Sequence, residues 1–279
     1  MRDLPRSVFV FGKGGTGRST VAAALALACA ERGDRVLVLE WAIEDPIAPW
    51  FGAPTAGPRP QAIIPRVAIA NFTLVDALEQ YFVDHLRLGV LFKSVIRTPS
   101  VARMLDIAPG LAEMFFLGEV WWLMTLAERE AGLAFDRIIV DAPATGHGTS
   151  LLDVPATLAR MPAAGLLATE TRRVTKMLGD PARVGSLVVS LPEPLVVDET
   201  LELIPRLPRP PLALVINRST ARLTDLPERD PIADEIRARN DVEVELRARV
   251  NAQAIAIADQ PGATPLSVVR SAVHALEAA

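Results

Sequence analysis

The chain has 279 residues, of which 50% are hydrophobic, a formal net charge of −4 and a single cysteine; this is enough apolar material for one large α/β domain. The mild acidic balance argues against nucleic acid as a partner, and a lone Cys29 excludes an internal disulfide or a cysteine-built zinc site. No apolar run reaches the ~20 residues of a membrane-spanning helix, and the N-terminal run is too short for a signal peptide, so the expected location is the cytoplasm, with any membrane contact made through a partner.

In chain order, six short and almost continuously apolar runs stand out: SVFVFG (7–12), RVLVLE (35–40), DRIIVD (136–141), SLVVSL (186–191), LALVIN (212–217) and AIAIAD (254–259). Apolarity without alternation means that both faces are covered, as in a parallel sheet. Segments able to form helices follow several of them, including 19–32, 197–207 and 265–276. The order is mainly β-α-β, which predicts an α/β fold with a doubly wound, mainly parallel sheet and ligands at the carboxyl ends of the strands.

Between the second and third runs the alternation breaks. A proline-rich stretch, GAPTAGPRPQAIIPRVAIAN (52–71), leads into a region that reads as helical from about Thr73 to Glu130. The expected organisation is one domain over 1–279 with a helical subdomain inserted at about 72–131. Within it, GLAEMFFLGEVWWLMTLAERE places Leu111, Met114, Phe115, Gly118, Trp121, Trp122 and Thr125 at helical spacing. Ordinary packing is the first explanation of this stripe, and a client-binding or dimer surface the second.

The loop after the first run fits two phosphate-binding patterns. Gly12, Gly14 and Gly17 spell the dinucleotide fingerprint, and Glu40 stands at about the distance of an acid that would hold a ribose hydroxyl. Gly12, Gly17, Arg18 and Ser19 spell the P-loop with arginine in place of lysine. The second pattern accounts for more residues: Ser19 is placed for Mg²⁺, and the loop from Lys13 through Gly14, Gly15, Thr16 and Gly17 can aim N–H groups at a phosphate from a helix N-terminus. Asp141 ends the third run, where it can hold the Mg²⁺ shell through water, and the following APATGHG supplies glycines for movement.

Five stretches together resemble the arsenite-pump and tail-anchored-protein targeting ATPases, the anion-transporting ATPase family of P-loop NTPases. GKGGTGRST is similar to that family's deviant Walker A loop, DAPATGHGTSLLDVP to its second switch, and the segment from Lys176 to Leu207 to its helix, strand and Pro-Glu and Glu-Thr pairs, here Pro192, Glu193, Glu199 and Thr200. The fourth, APGLAEMF, is similar to its Pro-Gly turn, and LALVINRS to a strand ending in Asn217. The resemblance implies a dimeric switch driven by ATP and Mg²⁺. Lys13 would reach the partner's phosphates, Lys13, Arg18 and Asp141 would serve catalysis, and Asn217 would read adenine; the loop residues through Thr20 would hold the nucleotide. From its chemistry alone, Asn217 can equally cap the strand end.

The chain departs from the family pattern in three places. Arg18 replaces the P-loop lysine, keeping the charge but not its compact geometry. No first-switch carboxylate aligns: Ala48 and Pro49 fall where it belongs, and Glu40, Glu44 and Asp45 are candidates only if the loop takes another path, reading first as solvated loop acids. The C-x-x-C of the targeting branch is missing, and the closest resemblance is to a bacterial group of paired ATPases. Two readings follow: a switch ATPase acting as a homodimer or with a related subunit on a hydrophobic client or membrane partner, or a noncatalytic nucleotide-binding half of a heterodimer. A nicotinamide oxidoreductase and a partitioning ATPase are the outside alternatives. Arsenite is disfavoured as cargo because one helical thiol cannot build a soft-metalloid site. His147 is a candidate relay between nucleotide and helices, or a local hydrogen-bonding residue.

Overall fold

The computed structural model describes residues 3–42, 45–78, 110–143, 151, 153–154 and 166–279. The six apolar runs all form strands: β1 (Ser7–Gly12), β2 (Val36–Glu40), β5 (Arg137–Asp141), β6 (Val184–Ser190), β7 (Ala213–Ser219) and β8 (Ala254–Ala258). Two more, β3 (Gln61–Ile64) and β4 (Val67–Asn71), come from the proline-rich stretch that reads in sequence as irregular. Both are short and alanine-containing, and a turn at Arg66 with φ 66° joins them; their strand character comes from the neighbour they pair with. The sheet order is β3-β4-β2-β5-β1-β6-β7-β8, parallel throughout except for the antiparallel edge strand β3.

Side chains alternate between two cores across this sheet. Val8, Val10, Val36, Val38, Ile139, Leu187 and Val189 face the layer of α1 (Arg18–Glu31) and α7 (Pro265–Glu277). Phe9, Phe11, Leu37, Leu39, Ile138, Val140 and Val188 face the opposite layer. That second layer contains α2 (Leu111–Thr125), α3 (Ala127–Ala131), α4 (Leu166–Leu178), α5 (Pro194–Leu203) and α6 (Pro231–Arg249). Nine of the 14 residues of α1 are buried, and most of them are alanines, which let the helix lie close to both the sheet and α7.

The buried face of α2 differs from the stripe read in the sequence. Met114, Phe116, Leu117, Val120, Leu123 and Met124 are buried, whereas Thr125 is exposed and Gly118, Trp121 and Trp122 are only half-buried. The helix is apolar nearly all round, so spacing alone does not select a face; contact with β5 and α4 does. Packing is therefore the role of the buried side. Of the expected insertion at about 72–131, residues 79–109 lie outside the described residues, as do the second-switch residues 144–150 with His147.

Candidate nucleotide site

The central strand β1 delivers the chain to the carboxyl edge of the sheet, between β5 and β6. There the loop Lys13–Gly17 turns directly into α1. Two glycines have geometric reasons to be glycine. A Cβ on Gly12 would stand 2.4 Å from the Val189 carbonyl oxygen of β6, and one on Gly17, whose φ is +91°, would stand 2.2 Å from Asn217 Nδ2. Inside the loop, Thr16 is buried and its hydroxyl donates to the Lys13 carbonyl at 2.8 Å. Gly14 and Gly15 are exposed at its tip.

Gly17 is the N-cap of α1 and offers no side chain, and the first turn contains no acid. The leading N–H groups of Arg18, Ser19 and Thr20 are thus without a side-chain cap, at the positive end of the helix dipole. Such an end, wrapped by a glycine loop, is suited to an anion. Beside it the Ser19 hydroxyl donates to Asp141 Oδ2 at 2.6 Å. Asp141 is 6% exposed and its Oδ1 is buried with no hydrogen-bond partner. Burial raises its pKa, against the opposing effects of the Ser19 hydrogen bond and the Arg18 charge. An orphaned carboxylate oxygen next to a first-turn hydroxyl fits a hard cation that accompanies phosphate. Among the described residues no three His, Cys, Asp or Glu side chains gather to hold an ion by themselves.

Arg18 does not extend into the loop. Its Nη1 donates to the Ala142 carbonyl just beyond β5, and burial lowers its pKa while the Asp141 charge raises it. Lys13 forms an ion pair with Glu199 of α5 at 2.6 Å, with both side chains about one third exposed. Thr200, the next residue, bonds Ser190 at the end of β6 at 2.9 Å and so fixes α5 against the sheet. Asn217 reaches the loop because β7 carries one extra residue relative to β8 between Ile216 and Ser219, with Arg218 at φ 52°. Its Nδ2 donates to the Thr16 carbonyl at 2.9 Å and its Oδ1 accepts from the Arg218 N–H at 3.0 Å, so both ends of the amide are engaged within the chain.

The structure thus brings Lys13, Gly14, Gly15, Thr16, Gly17, Arg18, Ser19, Thr20, Asp141 and Asn217 to one mouth of the sheet. It also changes the reading of two acids. Asp45 is 5% exposed, and its carboxylate accepts three backbone N–H groups, from Ile47 and Ala48 at 2.8 and 3.0 Å and from Ala56 at 2.7 Å. Glu40 is 0% exposed, with neither carboxylate oxygen bonded. Neither is a solvated loop acid, because the chain after β2 folds back over the sheet edge and is not free in water. Burial first, then Asp45 and the charge of Asp141, push the Glu40 pKa up to about 10.

A glycine loop between the central strand of a doubly wound parallel sheet and an uncapped helix defines the chain as a P-loop NTPase fold. The chain belongs to the anion-transporting ATPase family, whose sequence model matches residues 5–163. It is similar to a putative ATPase of Mycobacterium bovis, 33% identical over 222 residues that cover 75% of this chain and 64% of that protein. The ATPase BagA of Mycobacterium tuberculosis matches to the same extent. An arsenical pump-driving ATPase of Escherichia coli is 32% identical over 162 residues, 56% of this chain and 26% of that protein. The aligned region therefore amounts to somewhat less than two thirds of the mycobacterial relatives. Among the described residues no helix is long and apolar enough to cross a membrane.

Proposed function

We propose that this chain is an ATP-binding switch subunit in which Mg-ATP binding, followed by slow hydrolysis, rearranges helices that face a partner. The observation carrying the reading is the uncapped, acid-free start of α1 beneath the glycine loop, together with the Ser19–Asp141 hydrogen bond of 2.6 Å. Loop N–H groups from Gly14 to Thr20 bind the phosphates; Ser19 and Asp141 hold Mg²⁺. When bound, Mg²⁺ supplies charge neutralisation at the β- and γ-phosphate oxygens. Lys13 is the cation offered across a dimer, after leaving Glu199. Asn217 reads adenine only by exchanging its bonds to Thr16 and Arg218.

A physical route from site to helices supports the switch. Trp41 directly follows Glu40, and its ring lies 5.4 Å from that of Phe72 and 5.1 Å from that of Phe116 on α2. A shift at the end of β2 would press on α2 through this cluster.

The noncatalytic reading is favoured by one observation: Arg18, the loop's own cation, donates to the Ala142 carbonyl and lies in the field of Asp141. In that reading the chain is half of a heterodimer and a related subunit carries hydrolysis; in the first it is a homodimer or an active half. A hydrophobic client or a membrane protein suits either, and the cytoplasm is the proposed location. The test begins with thermal stabilisation: ATP with Mg²⁺ should raise the melting temperature and NADH should not, since only ligands of the native state do so. Turnover of Arg18→Lys then separates the two readings. A rise of tenfold or more identifies hydrolysis tuned down by arginine, and no rise identifies a binding subunit. Native mass spectrometry of the purified chain, alone and with a co-expressed related subunit, reports the assembly.

A further inference from the structure

The proposed switch lacks the aligned first-switch carboxylate expected of the family pattern, and the structure contains an acid that the proposed roles of Ser19 and Asp141 leave unused. Glu40 closes β2 in parallel register with Asp141 of β5. Register partners on adjacent parallel strands project to the same side, and here that side is the α1 layer, since Val38 and Ile139 two residues earlier both belong to its core. The Glu40 carboxylate therefore lies on the face where Ser19 meets Asp141.

Among the described residues its surroundings offer it no cation and no N–H donor. Asp45 accepts three loop N–H groups and meets Glu40 only as a second carboxyl, and Arg18 Nη1 donates to the Ala142 carbonyl. Glu40 Oε1 and Oε2 and Asp141 Oδ1 remain buried with no hydrogen-bond partner among the described residues. The backbone that carries Glu40 is also fixed. Its carbonyl accepts from Phe72 N–H at 2.7 Å, and the Asn71 amide clamps Ala42 from both sides, accepting its N–H at 3.1 Å and donating to its carbonyl at 3.0 Å. A buried carboxyl that faces only the carboxyls of Asp45 and Asp141 is unfavourable in its charged form until a cation joins them.

We propose that Glu40 is a positioning residue for the divalent cation of the nucleotide site, accepting hydrogen bonds from the cation's water ligands alongside Asp141. The inference rests on the nucleotide-site reading above. The spacing suits a role through water: adjacent strands lie about 4.8 Å apart, and a carboxylate one water removed from Mg²⁺ stands about 4 Å from the ion. Glu40 thereby stands in for the carboxylate that the loop after β2 does not supply, from the strand end itself.

The test uses Mn²⁺ as probe, with its free concentration read by electron paramagnetic resonance on the full chain in the presence of ADP. Glu40→Gln is expected to weaken Mn²⁺ binding at least tenfold while leaving ADP affinity in EDTA unchanged. Glu40→Asp, which keeps a carboxyl, should recover part of the loss; Glu40→Ser, which removes it, repeats the loss and replaces Glu40→Gln if that variant does not fold. A variant without this carboxyl that folds and binds Mn²⁺ within twofold of wild type overturns the role of Glu40 alone. A wild-type chain that binds no Mn²⁺ with ADP overturns both this inference and the nucleotide site on which it rests.

Discussion

Gly17→Ala tests the loop architecture at its tightest point. Alanine at φ +91° enters the left-handed region, which costs about 1–2 kcal/mol. Its methyl group would also meet Asn217 Nδ2 at 2.2 Å, so the amide must withdraw and its bond to Thr16 is lost. Leaving that buried carbonyl and amide unsatisfied adds about 1–3 kcal/mol. The expected total is about 2–5 kcal/mol, or a melting temperature lower by about 4–10 °C for a chain of this size. Urea unfolding of Gly17→Ala, Asn217→Ala and the double variant provides the decisive comparison. Once Asn217 is truncated the clash is gone, so the double variant should be more stable than the sum of the singles by about 1–3 kcal/mol. Additivity within about 0.5 kcal/mol would refute the claim that Asn217 packs under the loop.

Further expectations concern charged and nucleophilic groups. The Glu40 pKa is raised from 4.5 to about 10 in the folded chain, so folding binds a proton: the stability it contributes is full below pH 4.5 and is lost as pH rises towards 10. In EDTA, Glu40→Gln should therefore exceed wild type in stability at pH 7, by up to about 3 kcal/mol, and the margin should shrink as pH falls towards 4.5; urea midpoints across pH 5–8 check this. Glu199→Gln releases Lys13 from a pair about one third exposed, so the melting temperature should change little, while nucleotide-dependent dimerisation, followed by analytical ultracentrifugation, should strengthen. Cys29 is buried, and burial above all raises its thiol pKa. It should resist iodoacetamide in the native state and react readily in urea.

The parts of this protein legible in the sequence are those set by local chemistry. Continuous apolar runs identify six of the eight strands among the described residues because a strand buried on both faces needs no polar side. The glycine spacing of 12–17 identifies the phosphate loop because the turn geometry requires residues without Cβ. The strands β3 and β4 were not legible, since short alanine-containing segments between prolines acquire strand character only from pairing along β2. The buried face of α2 was not legible either, because a helix apolar on all sides has no preferred face until it meets β5 and α4.

At the site, the sequence by itself determined which chemical groups are present: a glycine loop, Ser19, Asp141, and arginine where lysine is usual. Tertiary structure alone decided what each is free to do. The pairing of Lys13 with Glu199, the turning of Arg18 to Ala142 and the reach of Asn217 to Thr16 span large separations in the chain, so no local pattern encodes them. The same holds for Glu40, which in sequence only closes an apolar run. It becomes a buried, unpaired carboxyl only because β2 lies beside β5 and the chain beyond it folds back over the strand end.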